Sequence, residues 1–186
     1  FMLRTALIGY GYWGPNLLRN LNENPRCEVV ACCDREERKL AKVKLRMPTV
    51  RMLSDPELIF SDPSIRAVVL ATPITTHFEL ARRALEAGKH VFIEKPITAS
   101  SREAKELIEL ADARKLTLMV GHTFEFSPAV LKIADMIRTG DLGQVFYVSM
   151  TRVNLGLHQK DVSVIWDLAP HDFSILFHLL GEGPST

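Results

Sequence analysis

Leu3-Arg4-Thr5-Ala6-Leu7-Ile8-Gly9-Tyr10-Gly11-Tyr12-Trp13-Gly14 lies at the start of the chain, and its reading decides the fold. Leu3 to Ile8 is an apolar run of strand character, and Asn16 to Glu23 beyond the glycines has a helical pattern. A lone GxGxxG string is weak evidence. Here it sits between strand and helix, and an acidic residue, Asp34, closes the next apolar run twenty positions after Gly14. That context turns the string into a dinucleotide site. Gly9 allows a tight turn, Gly11 leaves room for a pyrophosphate to approach the backbone, and Gly14 lets the helix pack close to the strand. The pyrophosphate then meets the unpaired N–H groups and positive dipole end of the helix.

Working outward, apolar and amphipathic runs alternate as in a doubly wound α/β fold, a parallel sheet covered by helices on both faces. Glu28–Cys33, Ala67–Ala71, His90–Ile93 and Thr117–Val120 are short and apolar throughout, the pattern of strands buried on both faces. Glu36–Leu45, Thr76–Ala87 and Ser101–Ala113 carry apolar residues at three- and four-residue spacing, which predicts helices with one buried stripe. Ser100 or Ser101, with Glu103 nearby, suits the start of the last of these. Thr49–Met52 reads as a further short strand and Asp55–Phe60 as a helical turn.

After about residue 123 the pattern changes, so residues 1–122 are expected to form the dinucleotide-binding domain and 123–186 part of a second, substrate and oligomerisation domain. Ser127–Arg138 predicts an amphipathic helix, and Gln144–Val153 alternates like a half-exposed strand at the start of another sheet. A polar loop, Asn154–Ser163, leads to a helix over Trp166–Leu180 that stops at Gly181.

Composition limits the partners. Lys and Arg number 23 against 22 for Asp and Glu, a net charge of +1, so neither nucleic acid nor a membrane surface is expected to bind. No run approaches the ~18 apolar residues of a membrane span, and no signal-peptide layout is present, which predicts a cytoplasmic protein. Cys27, Cys32 and Cys33 share one predicted strand, where an ordinary disulfide between neighbours cannot close. Free thiols are expected, and no Cys/His spacing points to zinc.

Two further groups carry chemistry. Glu94-Lys95-Pro96 follows the strand His90–Ile93 and falls at the carboxyl edge of the sheet, where ligands bind in open α/β folds. Taken alone, the tripeptide also fits a loop with a solvated lysine. Asp167 and His171 are four apart on a predicted helix, so they share a face. A carboxylate beside an imidazole orients the ring and stabilises its protonated form, which suits a proton acceptor near neutrality. The same pair also fits a helix cap and a satisfied histidine.

Gly9 to Gly14, Ala71-Thr72-Pro73, Glu94-Lys95-Pro96 and Asp167-Leu168-Ala169-Pro170-His171-Asp172, in this order, resemble the Gfo/Idh/MocA oxidoreductase family. Asn154-Leu155-Gly156 followed by Trp166 to Asp172 resembles its nucleotide-sugar branch, which includes UDP-N-acetylglucosamine 3-dehydrogenases. The resemblance implies an NAD-dependent dehydrogenase that moves a hydride from a secondary hydroxyl of a sugar, and a homo-oligomer. It implies Lys95, Asp167 and His171 as the catalytic group, His171 being the preferred base, and a cis bond before Pro96. Thr72, Pro73 and His77 would line the cofactor path, with Glu94 near the nicotinamide ribose and His122 at the same edge. Tyr12 and Trp13 belong to the cofactor loop, Trp13 chiefly as packing. Arg152 and Asn154 are candidate sugar or phosphate contacts, and a solvated edge explains them almost equally well. Asp34 is suited to the ribose 2′-hydroxyl and would repel a 2′-phosphate, which predicts NAD; Arg35 and Arg38 pull toward NADP as the lesser alternative. Family members usually carry a large second α/β domain, for which residues 123–186 are too few. A dinucleotide-binding module without turnover is the competing reading, although such a module has no need of Lys95, Asp167 and His171.

Overall fold

A computed structural model describes residues 2–153, 163–181 and 183. Six strands form one parallel sheet: β1 (Leu3–Ile8), β2 (Cys27–Cys33), β3 (Arg51–Leu53), β4 (Ala67–Leu70), β5 (His90–Ile93) and β6 (Leu118–Val120), in the spatial order β3-β2-β1-β4-β5-β6. The helices between them are α1 (Gly14–Glu23), α2 (Glu37–Arg46), α3 (Glu57–Phe60), α4 (His77–Glu86) and α5 (Ser101–Ala113). This is the Rossmann-type doubly wound order, and the order reverses between β1 and β4.

Side-chain alternation along each strand separates the core into two layers. Ala6, Ile8, Val68, Leu70, Val91 and Ile93 point to one face, where Phe60 of α3, Leu85 of α4 and Leu107 of α5 cover them. Leu7, Cys32 and Val69 point to the other, against Leu18 of α1 and Leu40 and Val43 of α2. Because both faces are covered, β4 is buried at every position, which is why its sequence is apolar without alternation. One bulge interrupts the register: Thr5 pairs with Val29 and Ala6 with Ala31, leaving Val30 extra.

All the predicted elements but one form, with boundaries moved by at most two residues. Ser100 caps α5 by accepting the Glu103 amide at 3.3 Å. A 3₁₀ turn over Ile74–Thr76 occupies the predicted entry to α4. Cys32 and Cys33 are buried free thiols, pushed up to about 12 and about 11 by burial, and so neutral; Cys27 is half-buried and donates to the Thr5 hydroxyl.

The chain divides into two compact units, Phe1–Val120 and Gly121–Thr186. In the second, a 3₁₀ turn (Thr123–Phe126) precedes α6 (Pro128–Thr139) and α7 (Val164–Leu180). The strand expected over Gln144–Val153 does not form: residues 145–153 carry no regular structure, and the neighbours Phe146 and Tyr147 are 83% and 85% exposed. Alternation specifies only which side chains share a face. A strand needs a second backbone to take its N–H and C=O groups, and no described segment does so. Among the described residues, no helix is long and apolar enough to cross a membrane.

Candidate functional site

The glycine loop leaves β1 at the point where the strand order reverses. Gly9 has φ +97°, and a Cβ there would lie 2.4 Å from the Ala71 carbonyl oxygen, so β4's exit loop excludes any side chain. A Cβ at Gly14 would lie 2.6 Å from the Gly9 carbonyl oxygen. Gly11 differs. A Cβ there would meet only Ala71 O, at 4.0 Å, so nothing in the fold itself demands a glycine and the space beside it is open. Helix α1 begins with no side-chain cap and no acidic residue in its first turn. Pro15 has no N–H and the Asn16 amide donates to Trp13 O at 3.0 Å, so the first turn offers an anion the Gly14 N–H and the helix dipole, which together with the space over Gly11 fit a dinucleotide pyrophosphate.

Asp34 directly follows β2, and its carboxylate shapes this loop. Oδ2 accepts the Tyr10 amide at 2.7 Å and Oδ1 accepts the Glu36 amide at 2.9 Å. Lys39 Nζ lies 3.7 Å from Oδ2. Tyr10, buried under the loop, was not singled out from the sequence; its amide is fixed by a residue 24 positions away. Tyr12 and Trp13 stack edge to face at 5.6 Å, and Trp13 is 50% exposed. Arg35 is exposed and has no ion-pair partner among the described residues, whereas Arg38 pairs with Glu36.

At the exits of β4 and β5 the residues are held together by His77. Its Nε2 lies 2.9 Å from the Thr72 carbonyl oxygen and its Nδ1 2.9 Å from that of Pro96, with the ring 1% exposed. It is a buried brace between two loops, not the surface histidine that the sequence also allowed. The Thr72 hydroxyl is linked to that of Thr76 at 2.7 Å, and Pro73 is exposed at the loop's outer turn. The Lys95–Pro96 bond is cis. Lys95 is half-buried, and the adjacent Glu94 is buried; burial raises the Glu94 carboxyl above the usual range, partly opposed by the Lys95 amide and charge. The Glu94 amide donates to Leu70 O at 2.9 Å, which sets Lys95 at the carboxyl edge beside β4.

The second unit carries the other candidates. Asp167 lies in the first turn of α7 and His171 one turn later, but the cap is Ser163, which accepts the Trp166 amide. Asp167 is thus not spent on capping. The Phe124 ring meets His171 edge-on at 4.7 Å, and the Arg152 guanidinium lies over the same Phe124 ring at 4.9 Å. Arg152 Nη2 and Nε donate to Asp172 Oδ1 at 2.7 and 3.0 Å. The structure therefore joins Arg152, Asp172, Phe124 and His171 in one cluster, in which Arg152 has a protein carboxylate for a partner. Phe124 carried no sequence signal, and Asp172 was visible only as part of a longer motif. His122 Nδ1 is buried without a partner among the described residues, and burial lowers its basicity against the pull of Glu125. Asn154 lies outside the described residues. Lys95 belongs to one unit and Asp167 and His171 to the other.

Comparison with known proteins agrees with this geometry. Residues 3–122 match the Gfo/Idh/MocA oxidoreductase family, NAD-binding Rossmann fold. The chain is 36% identical to the uncharacterized oxidoreductase YdgJ of Escherichia coli, over 91% of this chain and 51% of that protein. It is 29% identical to two Bacillus subtilis proteins, scyllo-inositol 2-dehydrogenase (NAD(+)) and scyllo-inositol 2-dehydrogenase (NADP(+)) IolW, over 96% of this chain and 54% and 52% of theirs. It spans about half the length of these curated relatives. Among solved structures, one from Sinorhizobium meliloti, provisionally assigned as a myo-inositol dehydrogenase, superposes with a TM-score of 0.90 at 26% identity, over 98% of this chain and 56% of that one. A point mutant of KijD10, a 3-ketoreductase from Actinomadura kijaniata in complex with TDP-benzene and NADP, gives 0.71 at 29% identity, over 78% and 46%. The chain belongs to the Gfo/Idh/MocA oxidoreductase family, and residues 3–122 are its NAD-binding Rossmann fold.

Proposed function

We propose that this chain supplies the cofactor site and the proton-handling residues of an NAD-dependent dehydrogenase that oxidises a secondary hydroxyl of a sugar or cyclic polyol. The observation that carries the reading is the pairing of an uncapped α1 N-terminus and open Gly11 with the Asp34 carboxylate at the end of the adjacent strand. Those parts suit, in turn, a pyrophosphate and an adenosine ribose. Nicotinamide, when bound, supplies the acceptor for the carbinol hydride.

The chain's own residues handle the proton and the charge. His171 takes the hydroxyl proton, Asp167 one turn earlier on α7 steadies the imidazolium, and the Lys95 ammonium donates to the developing alkoxide. The Phe124 edge contact limits rotation of the His171 ring. Retention of all three groups favours turnover over a binding module that only senses the cofactor. The division expected at residues 122 and 123 is part of this reading, with the second segment contributing to substrate binding and to a homo-oligomer in the cytoplasm. The exposed apolar residues Phe146, Tyr147 and Val153 support the oligomer.

Within the substrate class we favour a nucleotide sugar of the UDP-N-acetylglucosamine type. The 3-ketoreductase complex supports a nucleotide-bearing substrate, while the inositol dehydrogenases support a free polyol. The test is NAD⁺ reduction by the native protein over a panel of nucleotide sugars and inositols. Lys95→Ala and His171→Ala should each lower kcat by roughly 10²-fold while the Kd for NAD changes little. Near-normal turnover in both variants would reject the assignment, and turnover of inositols alone would reject the nucleotide-sugar choice.

A further inference from the structure

The turn after β2 reads Asp34-Arg35-Glu36-Glu37-Arg38-Lys39, three carboxylates and three cations next to the proposed ribose position. From composition alone such a turn has no preference for or against a 2′-phosphate. The side-chain geometry removes that symmetry. Lys39 Nζ lies 2.5 Å from Glu36 Oε1, and Arg38 Nε donates to Glu36 Oε2 at 2.6 Å. Glu36 therefore holds Arg38 and shares Lys39 with Asp34, and only the exposed Arg35 has no ion-pair partner among the described residues.

We propose that Glu36 is a specificity-determining residue of this site: it pairs with Arg38 and Lys39, and so withholds from a 2′-phosphate two of the turn's three cations. Asp34 provides an acceptor for a 2′-hydroxyl, and Glu36 makes the phosphorylated alternative unattractive. This rests on the reading that Asp34 faces the adenosine ribose. It accounts for how a fold shared with both NAD- and NADP-dependent inositol dehydrogenases settles the choice locally. The hydrogen bonds from Lys39 and Arg38 also hold the Glu36 carboxyl below the usual carboxylate range, so it stays charged at neutral pH. Because the pairs are solvent-accessible and individually weak, the effect is a matter of several-fold in affinity.

Glu36 makes no side-chain cap to α2, so replacing it removes no helix-terminal bond. Titration calorimetry on the whole chain, with 5′-AMP, adenosine 2′,5′-bisphosphate, NAD⁺ and NADP⁺, compares the parent, Glu36→Gln, and Glu36→Gln combined with Arg38→Ala and Lys39→Ala. Glu36→Gln should lower the Kd ratio of each 2′-phosphorylated ligand to its plain counterpart by roughly three- to ten-fold. The triple variant should restore the parent ratio, since the gain acts through the two cations. An unchanged ratio in Glu36→Gln, or a gain that survives in the triple variant, overturns the proposal. If the parent binds none of the four ligands, the dinucleotide site itself is wrong and the proposal falls with it.

Discussion

His77 Nδ1 lies 2.9 Å from the Pro96 carbonyl oxygen across nineteen residues, and the opposite nitrogen of the same ring lies 2.9 Å from Thr72 O. Both carbonyls accept only, and a neutral imidazole has one N–H to donate between them; the ring joins the β4 exit loop to the loop that carries Lys95. His77 thereby helps to set where the loop that carries Lys95 sits.

Replacing this brace should be costly. His77→Ala removes the ring from between two loop carbonyls and leaves at least one without its donor, and a loss of about 1–3 kcal/mol is expected. Chemical denaturation measures it. If stability is unaffected, the ring contributes nothing to holding the loops together.

The glycines should separate into fold and ligand effects. Gly9→Ala combines a positive φ with a 2.4 Å approach to Ala71 O and should destabilise by more than about 1 kcal/mol. Gly11→Ala meets no protein atom closer than 4.0 Å and should melt like the parent, yet weaken NAD binding by roughly ten-fold or more. Thermal melts with and without NAD distinguish the two. Equal melting of all three proteins would remove the steric argument at Gly9.

Asp34 has a loop role and a proposed ligand role, which two substitutions separate. Asp34→Asn keeps an oxygen for the Tyr10 amide but loses the charge and turns its NH2 toward the Glu36 amide, so it should narrow the NAD over NADP preference several-fold at a cost of about 1 kcal/mol in stability. Asp34→Ala loses both, and should cost about 1–3 kcal/mol in addition. Calorimetry with both cofactors gives the first quantity and urea unfolding the second. A parent protein with equal affinity for the two cofactors contradicts the role of Asp34 at the ribose.

Asp62 offers a pH-dependent prediction. Hydrogen bonds from the Ser64 hydroxyl, Arg51 and the Ser64 amide hold its carboxyl at about 2, below the ordinary 3.8. A depressed carboxyl stabilises the fold above its unfolded value, and that contribution is lost as pH falls through about 2. Asp62→Asn should therefore be less stable than the parent at pH 7 by about 1 kcal/mol, with the gap closing below pH 4. A gap that is constant from pH 7 to pH 2 would show that charge is not the cause.

The alternation of apolar strands and amphipathic helices, the glycine loop and the place of Lys95 after β5 could all be read from the sequence. Each depends on a short-range rule: side-chain period, glycine sterics, or the position of a residue just past a strand. The same locality explains the extension of α7 through Pro170, which a strong apolar pattern on either side supports. What tertiary structure decided was the choice of partner over long separations. Asp34 takes the Tyr10 amide, His77 reaches Pro96 and Arg152 pairs with Asp172, over separations of 24, 19 and 20 residues. No periodicity encodes such pairings, because a carboxylate or an imidazole binds whichever donor or acceptor the fold brings near. Gln144–Val153 shows the same limit from the other side, since its alternation is local while a strand exists only through the backbone of another segment.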